Sequence, residues 1–150
     1  MQRNRFSLYG ITIASILLMT IAGINQVYAA PTTLDVFQDD GEVASAPGEF
    51  GGPKIGTVTY EANDNWVNVT ADIIVIPSEG NTFEGWLVDT GSGYKLSLGN
   101  LVDGQLQFDQ TMVYPYTYSQ FIITEEPIDD IDPNAAGTFG GAVLQEPFGQ

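Results

Sequence analysis

Cysteine and histidine are both missing from this chain, and only four of its residues are lysine or arginine. Without cysteine there are no disulfides, no thiol nucleophiles and no zinc sites of the Cys/His kind. Without histidine no acid–base device can turn on an imidazole. The shortage of cations argues against nucleic acid, whose binding relies on Lys and Arg neutralising phosphates, and against anionic lipid headgroups. Long helical periodicity is also lacking: no stretch beyond residue 30 repeats apolar residues every 3.6 positions.

What the chain has instead is acid. Nineteen Asp and Glu leave a formal charge of −15, and all nineteen lie beyond residue 30, where Lys54 and Lys95 are the only cations. Such a surface suits solubility outside the cell, high-salt media or divalent cations. The 150 residues are enough for one domain. Arg3 and Arg5 precede the apolar run Leu8–Ile24, and Val27 and Ala29 satisfy the small-residue rule for cleavage after Ala29. Residues 1–29 therefore read as a secretory signal peptide. The alternative is an uncleaved anchor, because a run of 17 residues is near the lower limit for crossing a bilayer. Either way the rest is expected to be extracytoplasmic, secreted or held at the outer face of the cell membrane.

Residues 30–53 are rich in Pro, Gly and acids and read as a lead-in, with Thr33–Phe37 as a short strand candidate. From 54 to 150, seven short runs of β-branched and aromatic residues recur between turn signals: 54–60, 66–75, 82–88, 94–98, 105–112, 119–124 and 141–144. In the second, Val67, Val69, Ala71, Ile73 and Val75 alternate with Asn68, Thr70 and Asp72. About seven such strands predict an all-β fold, an immunoglobulin-like antiparallel β-sandwich. Trp66 and Trp86 are expected to fill its core.

Asp89-Thr90-Gly91-Ser92 matches the local sequence of an aspartic-protease carboxylate. Such a site needs two of these loops sharing a proton, and only one is present. Asp followed by Gly91 and Gly93, between matched apolar runs, reads better as a hairpin turn. No catalytic residue is assigned, and the protein is expected not to be an enzyme.

Four segments in order, Gly85-Trp86-Leu87-Val88, Ser97-Leu98-Gly99, Phe121 to Pro127 (FIITEEP) and Ala142-Val143-Leu144, resemble the extracytoplasmic C-terminal domain of anti-sigma-K factors. The resemblance spans about residues 83–144, with Trp86, Gly99, Thr124, Glu126 and Pro127 as its motif positions. It implies an immunoglobulin-like sandwich outside the membrane. It does not imply sigma-factor binding, because that activity belongs to a cytoplasmic N-terminal domain which has no counterpart before the hydrophobic run.

Glu125, Glu126, Asp129, Asp130 and Asp132 gather oxygen ligands of the type calcium takes, without EF-hand spacing; the plainer reading is a solvated acidic loop. Asn68-Val69-Thr70 is an N-glycosylation acceptor sequence. Tyr114, Tyr116 and Tyr118 offer faces for a sugar or a protein, or pack at the rim of the sandwich. Together these readings predict a non-enzymatic module for surface or envelope protein interaction, without a resident cofactor. Its sheet edges could recruit another strand, and residues 31–53 are long enough to offer one. The alternatives are a calcium- or carbohydrate-binding module, and a regulatory partner in a sigma-factor system.

Overall fold

Strict alternation from Val67 to Ile73 dictates one apolar and one polar face, because successive side chains of an extended chain point to opposite sides. The computed structural model describes residues 30–41, 50–129 and 137–149. In it, eight strands form: β1 Thr32–Asp39, β2 Gly51–Asn63, β3 Trp66–Ile73, β4 Asn81–Asp89, β5 Tyr94–Asn100, β6 Gln105–Thr111, β7 Gln120–Pro127 and β8 Thr138–Val143. A single 3₁₀ turn, Pro115–Thr117, precedes β7. No α-helix occurs among the described residues. The expected signal or anchor segment, residues 1–29, and positions 42–49 of the lead-in lie outside them.

All pairings are antiparallel, and the strands make one sheet in the order β5-β4-β7-β8-β1-β2-β3-β6. The sheet is nearly closed. Its two end strands, β5 and β6, are joined by the tight turn Val102–Gln105. At the β8–β1 joint only two residue pairs meet, Phe37 with Gly141 and Gln38 with Gly140. A Cβ at Gly140 would sit 2.5 Å from the Phe37 carbonyl oxygen, so glycine permits this approach. The curled sheet brings Val36, Val58, Tyr60, Val67 and Val69 of one half against Phe83, Leu87, Phe121, Ile123 and Leu144 of the other, in one core.

Each of the seven expected strands is present, and β1 is the eighth. It turns Leu34 and Val36 inward while Thr33 and Asp35 face out. Being paired with both β2 and β8, Thr32–Asp39 is not free to be offered to another molecule. Trp86 is 4% exposed, yet it does not enter the main core. Phe83 and Leu87 take the inward parity of β4, so Trp86 and Val88 face out and form a second cluster with Ile122 and Phe50. Trp66 is half-buried, and its Nε1 donates to Asp109 Oδ1 at 2.6 Å.

The registers also define two poles. The Asn63–Asn65 and Asp89–Tyr94 turns lie at one, with the start of β1 and the end of β8. The β3–β4 loop, the β5–β6 turn and the end of β7 lie at the other. Without β1, the chain would enter the sheet at the second pole with β2. The added strand carries that entry to the first, beside residues 144–149.

Candidate binding surface at the loop pole

The alternation of β3 fails just past its end. Ile73 is inward and Val75 packs against the core, but Ile74 and Ile76 fall on the parity of Thr70 and Asp72 and do not join the core. They are 74% and 90% exposed. Val102 on the β5–β6 turn and Ile128 at the end of β7 are similarly bare, at 71% and 69%. Single exposed aliphatic residues are ordinary, whereas several gathered at one site mark a contact surface.

Backbone hydrogen bonds gather these loops. Ile73 N–H donates to the Gly104 carbonyl at 2.8 Å, Ile74 N–H to Ile55 at 2.9 Å, and Ile128 N–H to Gly80 at 3.0 Å. The Glu125 carboxylate accepts from Ser78 N–H at 2.6 Å and from Asn81 Nδ2 at 3.1 Å, which pins the β3–β4 loop to β7. These bonds, those from Ser78 first, hold the Glu125 carboxyl below its ordinary range. Between the β3–β4 loop and the β5–β6 turn lies a cavity of about 690 Å³, with Ile74, Val75, Ile76, Phe83, Leu101 and Asp103 in its lining.

The β5–β6 turn is built for its place. Val102 and Gln105 exchange two backbone bonds of 2.9 Å, with Asp103 at φ 51° and Gly104 at φ 80°. That is the two-residue turn with both central residues left-handed, which Asp-Gly suits. It holds Val102 outward.

Glu125 and Glu126 are adjacent on β7 and so project to opposite faces; Glu126 is 5% exposed. Asp129 is exposed, and Asp130 and Asp132 lie outside the described residues. Among the described residues no three Asp or Glu converge as a metal site would require. Asp89 closes its own turn: Oδ1 accepts from Gly91 N–H at 2.9 Å and Ser92 N–H at 3.2 Å, and Oδ2 from the Ser92 hydroxyl at 2.7 Å. The hydroxyl bond is the main cause of its lowered pKa. Asn68 projects from the outer face of β3, between Glu61 and Asp109 on the flanking strands.

The remaining predicted residues are scattered. Thr124 is fully buried and accepts from Trp86 Nε1 at 2.9 Å. Gly99, at φ 98°, lies at the bulge between β4 and β5, and Pro127 ends β7. Tyr114 and Tyr116 stack edge-to-face at 5.4 Å, and Tyr116 donates to Asp64 at 2.9 Å, all at the pole opposite the aliphatic loops. Tyr118 is buried beneath the same end.

Ile74, Ile76, Val102 and Ile128 are not among the residues predicted from the sequence. A signal existed in Ile73-Ile74-Val75-Ile76, an apolar run occupying both parities directly before Pro77. Comparison with known proteins returned no matching family model, curated protein or solved structure, and so no link to anti-sigma-K factors.

Proposed function

We propose that this protein is a non-enzymatic extracytoplasmic module that binds a protein partner through its loop pole. One observation carries the reading: Ile74, Ile76, Val102 and Ile128 are exposed on three connections that meet at one end of the fold. Their acidic surroundings, Glu79, Asp103 and Asp129, favour a partner with apolar side chains and basic neighbours.

The immunoglobulin-like sandwich belongs to the same proposal, and strand order supports it. With β1 set aside, the halves read β2-β3-β6 and β5-β4-β7-β8. Lettered along the chain as A, B, C, C′, E, F and G, they correspond to ABE and C′CFG layers, such a sandwich without its strand D. The loop pole then holds the B–C and F–G connections, the end from which antibody variable domains bind. Export rests on the signal-like residues 1–29. The outer domain of anti-sigma-K factors remains the family we propose by resemblance, without its sigma-binding part.

Site-specific photo-crosslinking on producing cells tests the proposal. A photoreactive side chain at Ile76 is expected to capture one discrete partner, while the same group at Asn68 captures none. The pair Ile74→Asp and Ile76→Asp should abolish capture while shifting stability by no more than about 0.5 kcal/mol each, as exposed substitutions do. Equal capture from both positions, or capture indifferent to the Asp substitutions, would discard the reading.

A further inference from the structure

A second surface lies along the seam between β5 and β6. These strands end the sheet on either side, and they meet only at their shared turn. Away from it the halves part. On β6 the inward side chains go from buried Leu106 through half-buried Phe108 to exposed Gln110. On β5 they go from buried Leu98 through half-buried Leu96 to Tyr94, which is 58% exposed. The same gradient on both lips describes a wedge, closed at the turn and open towards the opposite pole.

The two lips differ. β5 is broken by a bulge and carries Lys95, both devices that discourage further pairing. β6 has none of these: its register with β3 runs evenly from Trp66–Thr111 to Asp72–Gln105. The bonds Ile73 N–H to Gly104 and Met112 N–H to Asn65 set its parity. Even-numbered residues of β6 bond to β3, so the peptide groups of Gln107, Asp109 and Thr111 point away from it. Those three residues are exposed, and their backbone groups bond to no described residue.

We propose that this seam accepts one extended peptide strand from another protein. The strand adds to β6 through Gln107, Asp109 and Thr111, and its inward side chains cover Phe108 and Leu96. It must alternate: apolar residues towards the wedge, and neutral or basic ones outward beside Asp109 in a chain of charge −15. That charge opposes a second copy of the protein in the same place. This surface is independent of the loop pole.

The test is amide hydrogen exchange by NMR on the full chain, with a short synthetic peptide alternating leucine and lysine. Exchange at Gln107, Asp109 and Thr111 should slow at least about tenfold at millimolar peptide. A scrambled peptide of equal composition, and one N-methylated on alternate residues, should give no protection. Gln107→Pro removes an outward N–H while sparing the β3 ladder, and it should reduce binding at least about tenfold. The N-methylated arm decides the matter even where that variant folds poorly. The proposal is overturned by absent protection, by protection that survives N-methylation, by protection confined to residues 74–76, or by β6 pairing with itself in peptide-free protein.

Discussion

The Tyr60 hydroxyl donates to the Gln145 carbonyl at 3.0 Å and accepts from the Gln145 N–H at 2.8 Å. One phenol oxygen thus completes both backbone groups of a residue 85 positions away. The Tyr60 ring also meets Phe148 edge-on at 5.1 Å. The segment after β8 is therefore tied to β2 by a side chain, beside backbone bonds from Leu144 to Ser119 and from Gly149 to Tyr116 and Tyr118. Tyr60→Phe keeps the ring and strands both groups. It should destabilise by about 1–3 kcal/mol, the usual penalty for unsatisfied buried polar groups. Urea denaturation should show a lower midpoint with an unchanged slope.

Alkali should act through the same residue. Burial raises the Tyr60 phenol above 10.0, outweighing its bond to Gln145, and burial likewise raises Tyr118. The folded state then holds its proton more tightly than the unfolded chain. This contribution is intact below pH 10.0 and is lost as pH rises through the folded values. Melting temperature should fall above about pH 10 in wild type, and less steeply in Tyr60→Phe.

Thr124→Val tests the outer cluster. Valine matches the shape of threonine but cannot accept the Trp86 indole proton, whose bond is 2.9 Å and buried. A loss of about 1–3 kcal/mol by urea denaturation is expected. A change within error would mean that the indole finds another acceptor.

Gly104→Ala should be among the most damaging single changes. The residue is at φ 80°, and an added Cβ would run into the Ile73 carbonyl oxygen. Strain of this kind costs about 1–3 kcal/mol. Because Val102 rides on this turn, the variant should also weaken crosslinking from Ile76.

Glu125 Oε1 accepts from Ser78 and Asn81, and it does so more strongly when the carboxyl is ionised. Its folded pKa is depressed, so its contribution is present above the ordinary value of 4.5 and lost as pH falls through the folded value. Glu125→Gln should flatten the acid limb of the stability profile and speed amide exchange at Ser78. Millimolar calcium should leave the melting temperature unchanged, because Glu125 is engaged and Glu126 faces the other way. A rise of several degrees would reinstate the calcium reading.

Much of the strand plan could be read from the chain because it depends on parity. The alternation of Val67 to Ile73 against Asn68 to Asp72 needed no tertiary information, nor did the turn at Asp89, whose carboxylate serves its own loop. Trp86 was less legible. Its size suggested the core, but inward parity belonged to Phe83 and Leu87, and only the outer cluster with Val88, Ile122 and Phe50, together with the Thr124 acceptor, made an outward tryptophan tolerable. β1 was harder still. Its apolar residues are few, and one of its two partners, β8, comes from the far end of the chain.

By itself the sequence determined an acidic, all-β chain without thiol or imidazole chemistry, because composition and two-residue periodicity are local properties that survive any arrangement of strands. Tertiary structure alone decided which edges stay open and which loops converge. Those depend on strand order, since the connections that carry Ile74, Val102 and Ile128 come to one pole only when the strands pair. The open lip of β6 arises in the same way: nothing in Gln105–Thr111 marks it as an edge until β3 has taken one side and none of the described strands has taken the other.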